Sequence, residues 1–137
     1  ARSGMSLDDH PLRHLRPSLA KVGAITAAEL ASKRHGSLVR IAGLVLIRQR
    51  PATAKGIVFM TIEDETGIAN LVIRTTVFDA YESVVRFASI VFAQGIVERT
   101  PREPVRDPAQ VPVIHVVASE LRKLDIPGLT TRSRDWG

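Results

Sequence analysis

The longest run of carboxylates in the chain is Glu63-Asp64-Glu65, in a turn sequence that ends at Gly67. Such a run could bind a divalent cation through its oxygen atoms. Three adjacent residues in a hairpin turn point in different directions, however, and no further Asp, Glu or His follows at a recognisable ligand spacing. We therefore predict a structural turn and no metal site.

Other catalytic patterns are weak. His10 and His14 are four residues apart and could share one helical face, but a third zinc ligand is missing. The chain has no cysteine, which excludes disulfides, thiolate metal sites and cysteine nucleophiles. Neither a phosphate-binding glycine loop nor a nucleophile elbow is present, although a triad formed in space leaves no local pattern. We predict a non-enzymatic domain without a cofactor.

Two arginine-containing loops carry the strongest chemical signal. They are RQRPATAKG at 48–56 and RTPREPVRDPAQVP at 99–112, and their prolines interrupt strands. Single-stranded nucleic acids bind by phosphate neutralisation together with base stacking on aromatic rings. The predicted contacts are Arg48, Arg50, Lys55, Arg99 and Arg102 to phosphates, Phe59 to a base, Thr61 and Asn70 as hydrogen-bonding groups, and Arg74 on the same strand face.

Aromatic platforms are few, since the chain has four Phe, one Tyr and one Trp. Phe78 and Tyr81 have the spacing of a helix stripe. The remaining candidates for stacking are Phe59, Phe87, Phe92 and Trp136, of which Phe59 is the best placed. Phe59 is also compatible with a place in the core. We therefore expect weak, mostly electrostatic binding, supported by a net charge of +5 in which residues 1–56 contribute ten Lys/Arg against three Asp/Glu.

The spacing of apolar residues predicts strands at 38–47, 57–63, 68–74, 90–97 and 113–118. Gly43 should bend the first strand so that it joins both halves of a barrel, and Gly95 should form a bulge. In the second strand, alternation places Phe59, Thr61 and Glu63 on the outer face. The fold class is mainly β, a five-stranded OB-fold barrel with a helix between strands 3 and 4 and a short helical N-terminal extension.

Helical segments surround these strands. Pro11 can open a first helix that Pro17 should interrupt, and Thr26 with Glu29 forms a capping-box pattern for a second. Thr76 should cap the helix between strands 3 and 4. We divide the chain into a lead-in at 1–37, the barrel at 38–124 and a flexible basic tail at 125–137. No apolar run is long enough to span a membrane and no secretory signal is visible, so we expect a cytoplasmic protein.

Several strings resemble a known family. VRIAGLVLIRQRPATAKG at 39–56, FMTIEDETGIANLVI at 59–73 and VIHVVASELRKL at 113–124 closely resemble the C-terminal OB region of bacterial error-prone DNA polymerases, relatives of the replicative polymerase III alpha subunit. HPLRHLRPSL at 10–19 and RSRDW at 132–136 extend the resemblance over nearly the whole chain.

The resemblance implies a module that binds single-stranded template DNA near the polymerase during synthesis across damage. It does not imply polymerase activity here, because that family keeps its metal-binding aspartates in a palm domain that these 137 residues do not include. The loop at 99–112 is longer than the family pattern.

Two other functions fit an OB fold. The sparse aromatic residues and the acidic turn favour a docking module for polymerase or other damage-tolerance proteins. The anticodon-binding domain of a tRNA synthetase fits the fold but not the specific strings.

Overall fold

The structure is a computed structural model that describes residues 10–102, 107, 109 and 111–125. Five strands form a closed barrel in the order β1-β2-β3-β5-β4, in which only β3 and β5 pair in parallel. The strands are β1 Leu38–Gln49, β2 Val58–Asp64, β3 Gly67–Ile73, β4 Ile90–Thr100 and β5 Val113–Lys123. This topology is that of an OB fold, as the sequence predicted.

The long first strand serves both halves of the barrel. Residues 38–44 of β1 pair with β4, and residues 44–49 pair with β2. A Cβ atom at Gly43 would lie 2.9 Å from the Cβ of Ile62 and 3.0 Å from the backbone of Glu63. Only glycine allows the two strands to approach this closely. The prediction that the first strand joins both halves of the barrel is thus confirmed, and so is the bulge at Gly95, where the pairing of β4 with β5 shifts register.

Inward-facing aliphatic side chains fill the barrel. The most deeply buried include Ile41, Met60, Ile62, Leu71, Ile73, Val91, Val97 and Val116. Their β-branched and aliphatic shapes suit the alternating inner face of each strand. A second, smaller cluster lies outside the barrel wall, where Leu12 and Leu19 pack near Ala42 and Ile90. The core therefore extends from the barrel to the N-terminal helices.

Two helices precede the barrel, α1 Pro11–Lys21 and α2 Ala27–Leu30. Pro11 opens α1 as predicted, and the side chain of Thr26 and that of Glu29 form the predicted capping box of α2. The expected interruption at Pro17 was wrong, because α1 continues through it. Pro17 removes one backbone hydrogen bond, but its fixed φ angle suits a helix. Burial of Leu12 and Leu19, on either side of Pro17, holds the helix in place.

The segment between β3 and β4 contains two short helices, α3 Thr75–Ala80 and α4 Glu82–Phe87. Sequence predicted one helix capped by Thr76, whereas α3 begins at Thr75 with Arg74 at the N-cap position. Tyr81 separates the two helices with a φ of −127°. Phe78 and Val85 are nevertheless buried on one side, as the apolar stripe predicted.

The strands run beyond some predicted ends, since β4 continues to Thr100 and β5 to Lys123. Parts of the proline-rich loop, including Arg106, lie outside the described residues. The predicted flexible tail lies outside them too, apart from Asp125, and with it Trp136. The division at residue 38 stays a prediction. Among the described residues, no helix has the length and apolar character needed to cross a membrane.

Candidate nucleic-acid interface

The outer surface of the β1–β2–β3 sheet presents a row of mixed polar and apolar side chains. Direct cross-strand neighbours point to the same side of a sheet. On β2 and β3, Phe59 lies opposite Val72, and Thr61 lies opposite Asn70. On β1, Gln49 and Ile47 lie opposite Phe59 and Thr61 respectively. We call this surface the strand face: Ile47, Gln49, Phe59, Thr61, Asn70 and Val72.

The strand face offers both stacking and hydrogen-bonding groups. Phe59 is 40% exposed, so its ring belongs to the outer surface and not to the barrel core. The hydroxyl of Thr61 donates a hydrogen bond to the Asn70 side-chain oxygen at 3.0 Å, which orients the amide. Asn70 and Arg74 are exposed, as polarity predicted. A base could stack on Phe59 while its edge meets Thr61 and Asn70.

Three cations lie at one end of the strand face. Arg50, Lys55 and Arg74, which we call the basic cluster, are all exposed. None of the three forms an ion pair with another described residue. Their charges are therefore available to a polyanion.

The loop between β1 and β2 has a defined shape. After the 3-10 turn Ala52–Ala54, Lys55 and Gly56 both adopt left-handed φ angles, of 54° and 86°. The hydroxyl of Thr75 donates to the carbonyl of Lys55 at 3.4 Å. This contact holds the loop against the start of α3, next to Arg74. The basic cluster thus combines residues from a loop and a strand end that are separated by about twenty positions in the sequence.

Arg48 differs from its neighbours in the same loop sequence. It is half-buried, and its guanidinium donates hydrogen bonds to the carbonyls of Val85, at 2.6 Å, and Ala88. Burial lowers the pKa of Arg48 from its ordinary value. These carbonyls lie at the end of α4, where backbone acceptors have no partner within the helix. The expected phosphate contact by Arg48 is not supported, because its donors already serve the helix end.

Arg99 has a similar structural role at the other predicted loop. It is only 8% exposed, and its guanidinium donates to the carbonyls of Ala31 at 3.1 Å and Lys33 at 2.9 Å. The expected phosphate contact by Arg99 is therefore not supported either. Arg99 instead ties β4 to the segment that follows α2. Arg102, three residues later, is exposed. Its contact with a phosphate stays a prediction.

The acidic turn anchors the N-terminal helices. Asp64 is 2% exposed and accepts hydrogen bonds from the amides of Ala27, Thr66 and Gly67 at 2.7, 2.7 and 3.1 Å. Its flanking residues face α1, because Glu63 contacts His10 and Glu65 accepts two hydrogen bonds from Arg16.

These contacts change the ionisation of the turn. The hydrogen bond from Arg16 to Glu65 raises the pKa of Arg16 above its ordinary value. Burial alone would raise the pKa of Glu65, but the hydrogen bonds and charge that Arg16 brings lower it overall. No group of three or more potential metal ligands occurs in the described part of the chain. The predicted turn itself is confirmed by the hairpin of β2 and β3 and by the hydrogen bonds that Asp64 accepts within it.

The sequence did not predict that Ile47 and Gln49 belong to the strand face. Ile47 and Gln49 follow a register shift in β1, between Val45 and Ile47, which breaks the alternation of the strand. No local signal marks that shift, since the whole stretch is apolar.

The chain is similar to much longer proteins of one kind. It is 45% identical over 122 residues to the error-prone DNA polymerase of Caulobacter vibrioides, covering 89% of this chain and 10% of that protein. It is 40% identical over 134 residues to error-prone DNA polymerase 2 of Rhizobium meliloti, covering 96% and 11%. The chain thus spans about a tenth of the length of these relatives. The predicted resemblance to error-prone DNA polymerases is confirmed.

Solved structures agree on the fold. Asparaginyl-tRNA synthetase from Pyrococcus horikoshii has a TM-score of 0.54 at 25% identity, over 72% of this chain and 22% of the synthetase. An OBody bound to hen egg-white lysozyme, AM2EP06, has a TM-score of 0.52 at 22% identity, over 72% and 89%. Residues 39–124 also match a family of domains described as the OB-fold nucleic acid binding domain. The chain therefore belongs to this family of OB-fold nucleic-acid-binding domains.

Proposed function

We propose that this domain is a non-catalytic module that binds single-stranded DNA on the strand face, as part of an error-prone DNA polymerase. The observation that carries the proposal is the exposed ring of Phe59 beside the basic cluster. Phe59 stacks on a base, and Thr61 and Asn70 bond to base edges. Arg50, Lys55, Arg74 and Arg102 contact phosphates, whereas Arg48 and Arg99 support the fold.

A single strand suits this surface better than a duplex. Stacking on an exposed ring needs a base whose face is free, and such stacking contributes about 1–3 kcal/mol per base. One ring, Phe59, is central to the strand face, so phosphate contacts must supply much of the remaining affinity. Binding should therefore be moderate and strongly dependent on salt. The similarity to DNA polymerases favours DNA over RNA as the ligand.

Fluorescence anisotropy with labelled oligo-dT across a salt series tests the proposal. If about three phosphates are neutralised, the logarithm of the binding constant should fall with the logarithm of salt concentration with a slope near −2. Absence of binding at low salt contradicts the proposal. Tighter binding to tRNA than to oligo-dT would instead favour the anticodon-binding function of the similar synthetase domains.

Single substitutions distinguish the contribution of base stacking to binding from that of phosphate contacts. Phe59→Ala should weaken oligo-dT binding by about 5- to 150-fold, the equivalent of one lost stacked base. Leu38→Ala is its control, because Leu38 is an exposed apolar residue on the half of β1 that pairs with β4. Lys55→Gln should make the salt slope shallower by about 0.7. Lys21→Gln, an equally exposed lysine at the end of α1, should leave it unchanged.

A second function is favoured by the apolar side chains of the same surface. Ile47 and Ile68 are 48% and 57% exposed and lie on either side of β2, opposite Thr61 and Glu63 respectively. Such a strip also suits protein contacts. In this case the domain docks to another part of the polymerase or to a damage-tolerance protein. Oligonucleotide titration would then be flat, while sedimentation with the remaining polymerase domains would show a complex that Ile68→Asp disrupts.

A further inference from the structure

A groove of about 250 Å³ lies at the end of β1, between the loop that follows it and α4. Arg50 and Gln49 line one side of the groove, and Arg86 and Phe87 at the end of α4 line the other. Phe78 contributes its ring to the wall. The groove is formed by helices between β3 and β4, so it lies beyond the strand face.

Two guanidinium groups in this groove share one aromatic ring. The Cζ atoms of Arg50 and Arg86 lie 4.6 and 5.4 Å from the centre of the Phe78 ring. The attraction between a cation and an aromatic face restrains both side chains near the groove. Two like charges close together repel each other, and an anion between them would relieve that repulsion.

The charge of the groove is positive. None of the described residues that line it carries a carboxylate. Glu82 does not line the groove, but its carboxylate forms an ion pair with Nε of Arg86 at 2.7 Å. Arg48 adds a third charge to the wall while its donors bind the end of α4. Arginine binds both carboxylates and phosphates through paired hydrogen bonds, and phosphate is the anion that a nucleic acid supplies.

Phe87 supplies the second component of a nucleotide site. It is the last residue of α4 and its side chain is 56% exposed, more than the ring of Phe59. An exposed ring beside two arginines is the arrangement that single-stranded nucleic acids use for stacking and phosphate contact. The sequence predicted no role for Arg86, whose spacing from Glu82 is that of an ordinary surface pair on a helix.

The groove is continuous with the strand face. Gln49 lines the groove and also lies directly opposite Phe59 in the pairing of β1 with β2. A strand leaving Phe59 would therefore pass Gln49 and reach Arg50 without crossing the barrel. OB folds accommodate about 4–16 nucleotides, which leaves room for a site beyond the strand face.

We propose that this groove binds a further nucleotide of the same single strand, with its phosphate between Arg50 and Arg86 and its base on Phe87. This inference rests on the proposed function, since it extends the strand that occupies the strand face. It adds a second stacking platform and makes the helices between β3 and β4 part of the binding surface.

Oligonucleotides of two lengths distinguish binding at the strand face from binding in the groove. Labelled oligo-dT of about 4 nucleotides should occupy the strand face alone, whereas about 12 nucleotides should reach the groove as well. Phe87→Ala should weaken binding of the longer oligonucleotide by about 5- to 150-fold and leave the shorter one within error. Arg86→Gln should make the salt slope shallower by about 0.7 for the longer oligonucleotide only. Leu38→Ala and Lys21→Gln are the matched controls.

The outcomes distinguish this inference from the proposed function. If Phe59→Ala weakens both lengths while Phe87→Ala and Arg86→Gln weaken neither, the strand face binds DNA and the groove does not. If oligo-dT of neither length binds at low salt, the proposed function fails and the inference fails with it. Because Phe87 is exposed, its truncation should keep the fold, and circular dichroism melting curves of each variant verify this.

Discussion

Replacement of Asp64 tests how far the N-terminal helices depend on one buried carboxylate. Its Oδ1 accepts hydrogen bonds from the amides of Thr66 and Gly67, and its Oδ2 accepts one from the amide of Ala27. An asparagine has one acceptor oxygen and one amide donor. In the Asp64→Asn variant, the side-chain oxygen can still accept the hydrogen bonds from Thr66 and Gly67. The NH₂ group then faces the amide of Ala27, which loses its acceptor.

The expected loss follows from these contacts. A hydrogen bond to a charged group contributes about 1.5–3 kcal/mol, and a buried donor without an acceptor costs about 1–3 kcal/mol. Both figures describe the same lost contact, so Asp64→Asn should lower the free energy of unfolding by about 2–3 kcal/mol. Asp64→Ala removes the acceptor from all three amides and should lower it by about 4 kcal/mol.

Urea unfolding followed by far-ultraviolet circular dichroism measures these losses. With a typical denaturant dependence of about 1–3 kcal/mol per molar, the midpoint of Asp64→Asn should fall by roughly 0.7–3 M. Asp79→Asn is the matched control, because Asp79 is exposed on α3 and its change should stay within about 0.5 kcal/mol. A loss below about 1 kcal/mol for Asp64→Asn, or equal losses for both Asp64 variants, would refute this account.

Three further substitutions test other contacts. Arg99→Met should lower the free energy of unfolding by about 2 kcal/mol, because two backbone carbonyls lose their donor, and urea unfolding measures it. The folded pKa of Glu65 lies below its ordinary 4.5. Its contribution to stability is therefore complete above that pH and is lost as pH falls through the lowered value, so the stability difference between wild type and Glu65→Gln should shrink as pH falls below about 4.5. Gly56→Ala combines a φ of +86° with a Cβ atom 2.9 Å from the hydroxyl of Thr75. It should destabilise the domain by about 1–2 kcal/mol and weaken oligo-dT binding by displacing the loop, which unfolding and anisotropy measure together.

Local patterns predicted the features that depend on local geometry. Alternation placed Phe59 and Thr61 outward because successive strand residues face opposite sides. A glycine within a mostly apolar first strand predicted that this strand serves both halves of the barrel. The capping box at Thr26 was visible because its two partners are three residues apart.

Features that depend on contacts between distant residues could not be predicted from the sequence. Arg48 and Arg99, which the sequence predicted to contact phosphates, donate to carbonyls that lie 37–40 and 66–68 residues away. Nothing in a basic loop sequence separates an arginine that caps a distant helix from one that faces solvent. Pro17 is a second example. Proline disfavours the interior of a helix, but the burial of Leu12 and Leu19 outweighs that local preference and α1 stays continuous.

The hydrogen bonds that join α1 and α2 to the acidic turn affect the order of folding. The helices come first in the chain, but their partners Asp64 and Glu65 follow 37–49 residues later. Short helices are marginal by themselves, so these two should become stable only after the hairpin of β2 and β3 has formed. Contacts between distant residues also slow folding. The earliest-synthesised part of the domain should therefore be among the last to become protected from hydrogen exchange.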